Sequence, residues 1–177
     1  IDGYYRYMSS AIKKGYSGTL VYTKIKPNNV YYGINEKYND EGRLITLEFD
    51  DFYLVNLTNQ HMIILTNDAI NYKFNEEQLN YSLKNKCNIT ALEIVNRRNI
   101  KIKTYEYGVG ITKSCGSASM ASFYVSYMLD KVDSKVNVLQ SGGTIICEHK
   151  DSKYYLTGEV NLIYKGELYG NDWFNFK

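Results

Sequence analysis

Ile100-Lys101-Ile102-Lys103-Thr104-Tyr105-Glu106-Tyr107-Gly108-Val109-Gly110-Ile111-Thr112-Lys113-Ser114-Cys115-Gly116-Ser117 is the stretch on which the fold turns. It opens with a β-rich run over residues 100–105 that predicts a strand. Gly108 and Gly110 interrupt the run and predict a turn. After Cys115-Gly116 the residues become small, and Met120, Tyr124, Tyr127 and Met128 then recur at helical spacing, which predicts a helix over Ser117–Leu129. The Met and Tyr spacing is that of a helix face packed into a core.

Working outward, strand signals dominate. Leu92–Val95 pairs naturally with residues 100–105 around the polar turn Asn96-Arg97-Arg98-Asn99. Met62–Leu65 is a continuous apolar run. Leu44–Phe49 and Phe52–Asn56 flank Asp50-Asp51 as two strands flank a tight turn. Thr19–Thr23, Thr144–Glu148, Lys153–Gly158 and Val160–Tyr164 supply further strands, and Glu76–Leu83 a weaker helix. The expected fold class is α+β: a mostly antiparallel sheet wrapped around a central helix, preceded by a β-hairpin-rich N-terminal segment.

With 177 residues, 44% of them apolar, the chain can bury a sizeable core. Its formal net charge of +2 gives no basic excess of the kind a nucleic-acid binder carries. Three cysteines, Cys87, Cys115 and Cys147, do not form a disulfide framework, so a reducing, cytoplasmic setting is expected. No apolar run reaches the roughly 18 residues of a membrane span, and no signal peptide opens the sequence. No metal and no cofactor are expected.

Two resemblances divide the chain. Gly3-Tyr4, then Lys13-Lys14-Gly15-Tyr16-Ser17-Gly18-Thr19, Tyr32-Gly33-Ile34 and Asp40–Phe49 resemble a middle slice of the exonuclease III family of apurinic endonucleases. The metal glutamate, catalytic tyrosine motif, Asp–Asn pair and Asp–His dyad that the resemblance would require are not present, so nuclease activity is not expected. Tyr16 is the one DNA contact this resemblance suggests; the plainer reading is that Tyr16 and Gly18 shape a β-turn.

From Asn56 to about Leu168 the sequence resembles the C-terminal half of diaminopimelate epimerase. Asn59-Gln60-His61 precedes an apolar strand where that family has Asn-Pro-His. Asn88 precedes Leu92–Arg97 as a second substrate asparagine. Glu106-Tyr107-Gly108 through Cys115-Gly116-Ser117 matches the family's Glu-Arg-Gly to Cys-Gly block, with nine residues from Glu106 to Cys115. Gly142-Gly143-Thr144-Ile145, Tyr155–Gly158 and Tyr164–Leu168 follow in order. The expected domains are therefore an exonuclease III-like partial segment at 1–55 and an epimerase-like C-terminal domain at 56–177, joined within the Phe52–Asn56 strand.

The resemblance implies a cofactor-independent isomerase that interconverts LL- and meso-diaminopimelate, a step of lysine and peptidoglycan biosynthesis. Inverting an α-carbon needs a base on one face and an acid on the other, and a thiol suits both tasks because its pKa is tunable. Cys115, at the start of a helix, is expected as a thiolate favoured by the helix dipole. His61 and Glu106 complete the catalytic set the resemblance implies. Asn59, Asn88, Glu106, Gly116 and Ser117 would bind an amino-acid substrate, the last two through backbone N–H groups. Three departures weigh against full activity. Tyr107 stands where the family has an arginine that clamps the α-carboxylate, and Ile111 where it has a glutamate. The half carrying the partner cysteine is replaced by the nuclease-like slice, so the epimerase is expected to be incomplete. A homodimer facing two Cys115 residues is one arrangement that would restore a thiol pair. The alternative function is a remnant of an exonuclease III-type repair nuclease without activity.

Overall fold

A computed structural model of the chain describes residues 2–33, 41–57, 59–151 and 153–166. Parts of some sequence motifs, Ile34, Asp40 and Glu167-Leu168 among them, lie outside these residues. Twelve strands and two helices are present among the described residues: β1 (Tyr5–Ser10), β2 (Gly18–Thr23), β3 (Asn29–Tyr32), β4 (Ile45–Glu48), β5 (Tyr53–Asn56), β6 (Gln60–Leu65), α1 (Glu76–Asn85), β7 (Cys87–Asn96), β8 (Asn99–Glu106), β9 (Gly110–Thr112), α2 (Gly116–Met128), β10 (Lys135–Gln140), β11 (Gly143–Lys150) and β12 (Lys153–Gly158). No described helix is long and apolar enough to cross a membrane.

β1 and β2 form a two-stranded ribbon, and the remaining strands form one ten-stranded sheet in the order β12-β11-β10-β8-β7-β6-β5-β4-β3, with β9 paired to β8. Most pairings are antiparallel, as expected. Two are parallel, β6 with β7 and β10 with β8. Each parallel pair needs a crossover: α1 lies within the first and α2 within the second. The sheet is therefore three antiparallel blocks, β12-β11-β10, β8-β7 and β6-β5-β4-β3, joined at two parallel seams.

Side-chain alternation divides the core between the two faces. Ile63, Leu92, Ile100, Ile102, Val136 and Val138 point to the face that packs α2, where they meet Ala118, Ala121, Phe123, Tyr124 and Val125. The intervening residues Leu54, Met62, Ile64 and Ile89 point to the opposite face, where Tyr81 of α1 and Val21 of the ribbon cover them. α2 touches β6, β7, β8, β10 and β11, so it is the central helix the sequence implied. Its small residues Ser117, Ala118, Ser119, Ala121 and Ser122 let it lie close to the strands. Tyr124 donates from its hydroxyl to the Gly33 carbonyl (3.1 Å), which ties the segment after β3 to the same core. In the same region the Glu48 carboxylate accepts from Asn29, Tyr31 and Tyr53, knitting β3, β4 and β5 together.

α1 begins at a complete capping box: Gln78 N–H donates to Asn75 Oδ1 (2.9 Å) and Asn75 N–H to Gln78 Oε1 (3.0 Å). β1, β3, β9 and β10 are strands beyond those expected from the sequence. One expected strand is corrected: residues 159–166, which include Val160–Tyr164, have no regular secondary structure and are exposed. A strand needs a ladder partner, and β12, the strand before this segment, pairs with β11.

Phe123 is fully buried at the centre of the α2 face, with its ring 6.0 Å from that of Tyr154 and 5.8 Å from that of Tyr127. Phe123→Ala should destabilise the protein by about 3–5 kcal/mol, read as a lowered urea midpoint.

Candidate functional site

The alternation that builds the core also gathers the polar residues. His61 shares its strand face with Ile63, Asn88 with Leu92, and Glu106 with Ile100 and Ile102, so all three point to the α2 side of the sheet. His61 and Asn88 are direct partners in the β6–β7 pairing. The loop after β9 delivers Cys115 to the start of α2 beside them.

Cys115 is the N-cap residue of α2, with extended backbone (φ −140°, ψ 114°). Its carbonyl accepts the first helical bond, from Ser119 N–H (3.0 Å). No acidic side chain occupies the first turn of α2, so the partial positive charge of the helix start is not neutralised from within the helix. The sulfur lies 3.5 Å from Ser117 Oγ. Ser117 Oγ in turn accepts from Asn59 Nδ2 (3.4 Å), whose Oδ1 faces His61 Nε2 (3.1 Å). One polar chain therefore runs from thiol to hydroxyl to amide to imidazole.

Glu106 closes the other side. Its carboxylate accepts from Thr112 Oγ1 (2.5 Å) across the β8–β9 turn and interacts with both the Cys115 sulfur and His61. That turn holds Gly108 and Gly110 at φ +76° and +98°, where glycine is the unstrained residue. Asn88 Oδ1 accepts Tyr107 N–H (3.0 Å) and fixes the same turn. With their oxygens engaged, Asn59 and Asn88 have amide hydrogens to offer a ligand. The Tyr107 side chain is exposed.

The charge state of the thiol departs from the sequence expectation. Burial pushes the Cys115 thiol above its ordinary pKa. The Ser117 hydroxyl and the Ala118 amide pull the other way, and the Glu106 carboxylate adds to the rise. Desolvation and a neighbouring anion thus outweigh the helix start, and the resting sulfur is protonated rather than a thiolate. Cys87 and Cys147, fully buried, are pushed to about 12 by the same desolvation and have no part in the site.

His61 is fully buried, and burial lowers its pKa from 6.5 to about 4, against a smaller opposing pull from Glu106. It is neutral near pH 7. Since Asn59 presents oxygen to it, the Nε2–H tautomer is the one that fits, and Nδ1 has no hydrogen-bond partner among the described residues. His61 thus orients Asn59 and reaches the thiol only through Asn59 and Ser117.

The structure brings together Asn59, His61, Asn88, Glu106, Cys115, Gly116 and Ser117. Tyr16 belongs elsewhere: in the N-terminal ribbon, Arg43 donates to its hydroxyl (3.0 Å) and lies over its ring. Two neighbours were missed. Leu156 of β12 sits 3.4 Å from the point where a Cβ on Gly116 would be. Gln140 of β10 accepts the Cys115 N–H (2.9 Å). The signal that could have found Gln140 is its position two residues beyond Val138 on the inward face.

A buried neutral histidine makes stability depend on pH. The unfolded chain binds the His61 proton below about 6.5 and the folded chain only below about 4, so stability is full above the first value and declines as pH falls toward the second. The shift corresponds to roughly 3 kcal/mol at most. Urea unfolding at pH 7.5 and pH 4.5 should show this loss, and His61→Gln should remove most of it.

The diaminopimelate epimerase family model matches residues 53–163. Among curated relatives, a diaminopimelate epimerase of Clostridium acetobutylicum is 36% identical over 130 residues, covering 67% of this chain and 39% of the relative. One of Methanococcus aeolicus is 32% identical, covering 66% and 43%. One of Wigglesworthia glossinidia brevipalpis is 33% identical over 165 residues, covering 84% and 59%. That last share of the chain exceeds what the residues from 53 onward can supply, so the similarity reaches into the N-terminal third. Among solved structures, a phenazine biosynthesis protein of the PhzF family from Enterococcus faecalis has a TM-score of 0.44 at 14% identity, covering 55% of this chain and 36% of its own. The chain spans roughly 40–60% of the length of these curated relatives. With a family match over more than half its residues, the chain belongs to the diaminopimelate epimerase family.

Proposed function

We propose that this chain supplies one face of a cofactor-independent amino-acid epimerase of the diaminopimelate type, with Cys115 moving the α-proton. The observation that carries this reading is the thiol held between the open start of α2 and the Glu106 carboxylate. The free amides of Gly116 and Ser117 suit a substrate carboxylate, and they also suit the negative charge that gathers on it as the α-carbon loses its proton. Glu106 suits the substrate ammonium. Pairing with that cation would offset the carboxylate's effect on the sulfur and ease its ionisation. Asn59 and Asn88 offer amide hydrogens to the same ligand. His61 acts as a positioning residue for Asn59.

As thiolate, Cys115 would take the α-proton; as thiol, it would return one to the planar carbanion. Inversion needs a second acid/base group on the opposite face. The relatives extend well beyond the matched length, and a second cysteine-bearing unit or a second copy of this chain would supply that group. The alternative division, a nuclease-like segment at 1–55 joined in β5, stands against the epimerase similarity that reaches into the N-terminal third and against the unbroken sheet from β3 to β6. For that segment, abasic DNA in magnesium should remain uncut; nicking would favour the repair-nuclease alternative.

Incubation of diaminopimelate with the protein in deuterated water should exchange the α-hydrogen, and Cys115→Ser should lower the exchange rate by about 100- to 10,000-fold. Exchange that persists unchanged in Cys115→Ser, or no exchange with the unaltered chain, would refute the role given to this thiol.

A further inference from the structure

Cys115 is held by a closed ring of hydrogen bonds. Its N–H donates to Gln140 Oε1 (2.9 Å), Gln140 Nε2 donates to Ser119 Oγ (3.0 Å), and Ser119 Oγ donates to the Cys115 carbonyl (2.8 Å). Gln140 Nε2 also lies 3.3 Å from Ser114 Oγ. The direction of every bond follows from the first, because the Cys115 N–H can only donate and so requires the carboxamide oxygen. Gln140 is the last residue of β10, and the turn after it grips the same loop. Gly142 N–H donates to the Lys113 carbonyl (2.8 Å), and a Cβ on Gly142 would lie 2.8 Å from that oxygen. The loop entering α2 is therefore fastened from outside the helix, by one strand end.

We propose that Gln140 is a positioning residue for the Cys115 thiol, fixing the backbone at the N-cap so that the sulfur stays beside Ser117 and the first amides of α2. The functional weight of this rests on the acid/base reading of Cys115. A helix start leaves four N–H groups without helical partners. Gln140 takes the outermost, that of Cys115 itself, and leaves those of Gly116, Ser117 and Ala118 for the sulfur and a ligand. The task requires a side chain that accepts and donates from one planar group; leucine does neither, and an ionised glutamate only accepts. Without the ring, Cys115 is free to turn its sulfur away from the Ser117 hydroxyl and Ala118 amide that favour the anion. The charged group facing the thiol is Glu106 on β8; His61 on β6 is neutral.

The test is the pH dependence of iodoacetamide alkylation at each cysteine of the whole chain, followed by mass spectrometry. Cys87 and Cys147 are fully buried, and their protection reports an intact fold. Gln140→Leu should slow Cys115 alkylation at pH 8 by about threefold to tenfold and move its midpoint to higher pH, with the other two cysteines still protected. Ser119→Ala breaks the ring without adding charge, and should also move the midpoint upward. It decides the matter if Gln140→Leu exposes Cys87 and Cys147. A Cys115 profile that stays in place or moves to lower pH in a folded variant overturns the proposal. Because this readout needs no turnover, absence of α-proton exchange would count against the proposed function and leave the role of Gln140 standing, whereas an unmoved profile would remove that role alone.

Discussion

Two-residue alternation along the strands is the constraint from which the site follows. A strand that buries Ile63, Leu92, Ile102 or Val138 against α2 must turn every second neighbour the same way. Carried to the strand ends, that rule aims His61, Asn88, Glu106 and Gln140 at the start of the helix. A one-residue slip in any of these strands would send its polar residue to the opposite face and expose its apolar set. The energy that fixes the register is the burial of the core; the polar cluster is placed by it.

At the centre of that cluster, two opposing influences meet at one sulfur. Enclosure and a nearby carboxylate favour the neutral thiol, while a hydroxyl and a backbone amide favour the anion. Of the two, the protonated form prevails. Under the acid/base role proposed above, the ammonium of an arriving zwitterion would weaken one of the two influences that hold the proton in place. His61 follows a different logic. Sealed away and uncharged, it gives direction to Asn59 and takes no part in charge transfer at neutral pH.

The most legible parts of the sequence were those whose local signals agree with their final neighbours. The 100–129 run gave a strand, a glycine turn and a helix because alternation, glycine placement and helical spacing are all local. The site residues from Asn59 to Ser117 could be named because ordered motifs resemble a family. What stayed hidden depended on distant partners. β10 is not legible locally although Val136 and Val138 alternate, since its place beside β8 depends on the long crossover through residues 107–134 that no local pattern encodes. Gln140 was hidden with it. The thiolate expectation failed because a helix start is visible in sequence, whereas the degree of enclosure and the approach of Glu106 are not. Val160–Tyr164 has the composition of a strand, yet composition does not supply a ladder partner.

The two parallel seams carry a further consequence. Asn59 and His61 come from the β6 block, Asn88 and Glu106 from the β7–β8 block, and Gln140 from the β10 block, so the constellation is stitched across both joins. Antiparallel blocks close through short connections and can persist on their own, whereas the seams exist only while the crossovers are docked. Any excursion that lifts α2 would scatter these residues while leaving the hairpins paired. The constellation would then be lost before secondary structure is, and it would be regained last when the chain refolds.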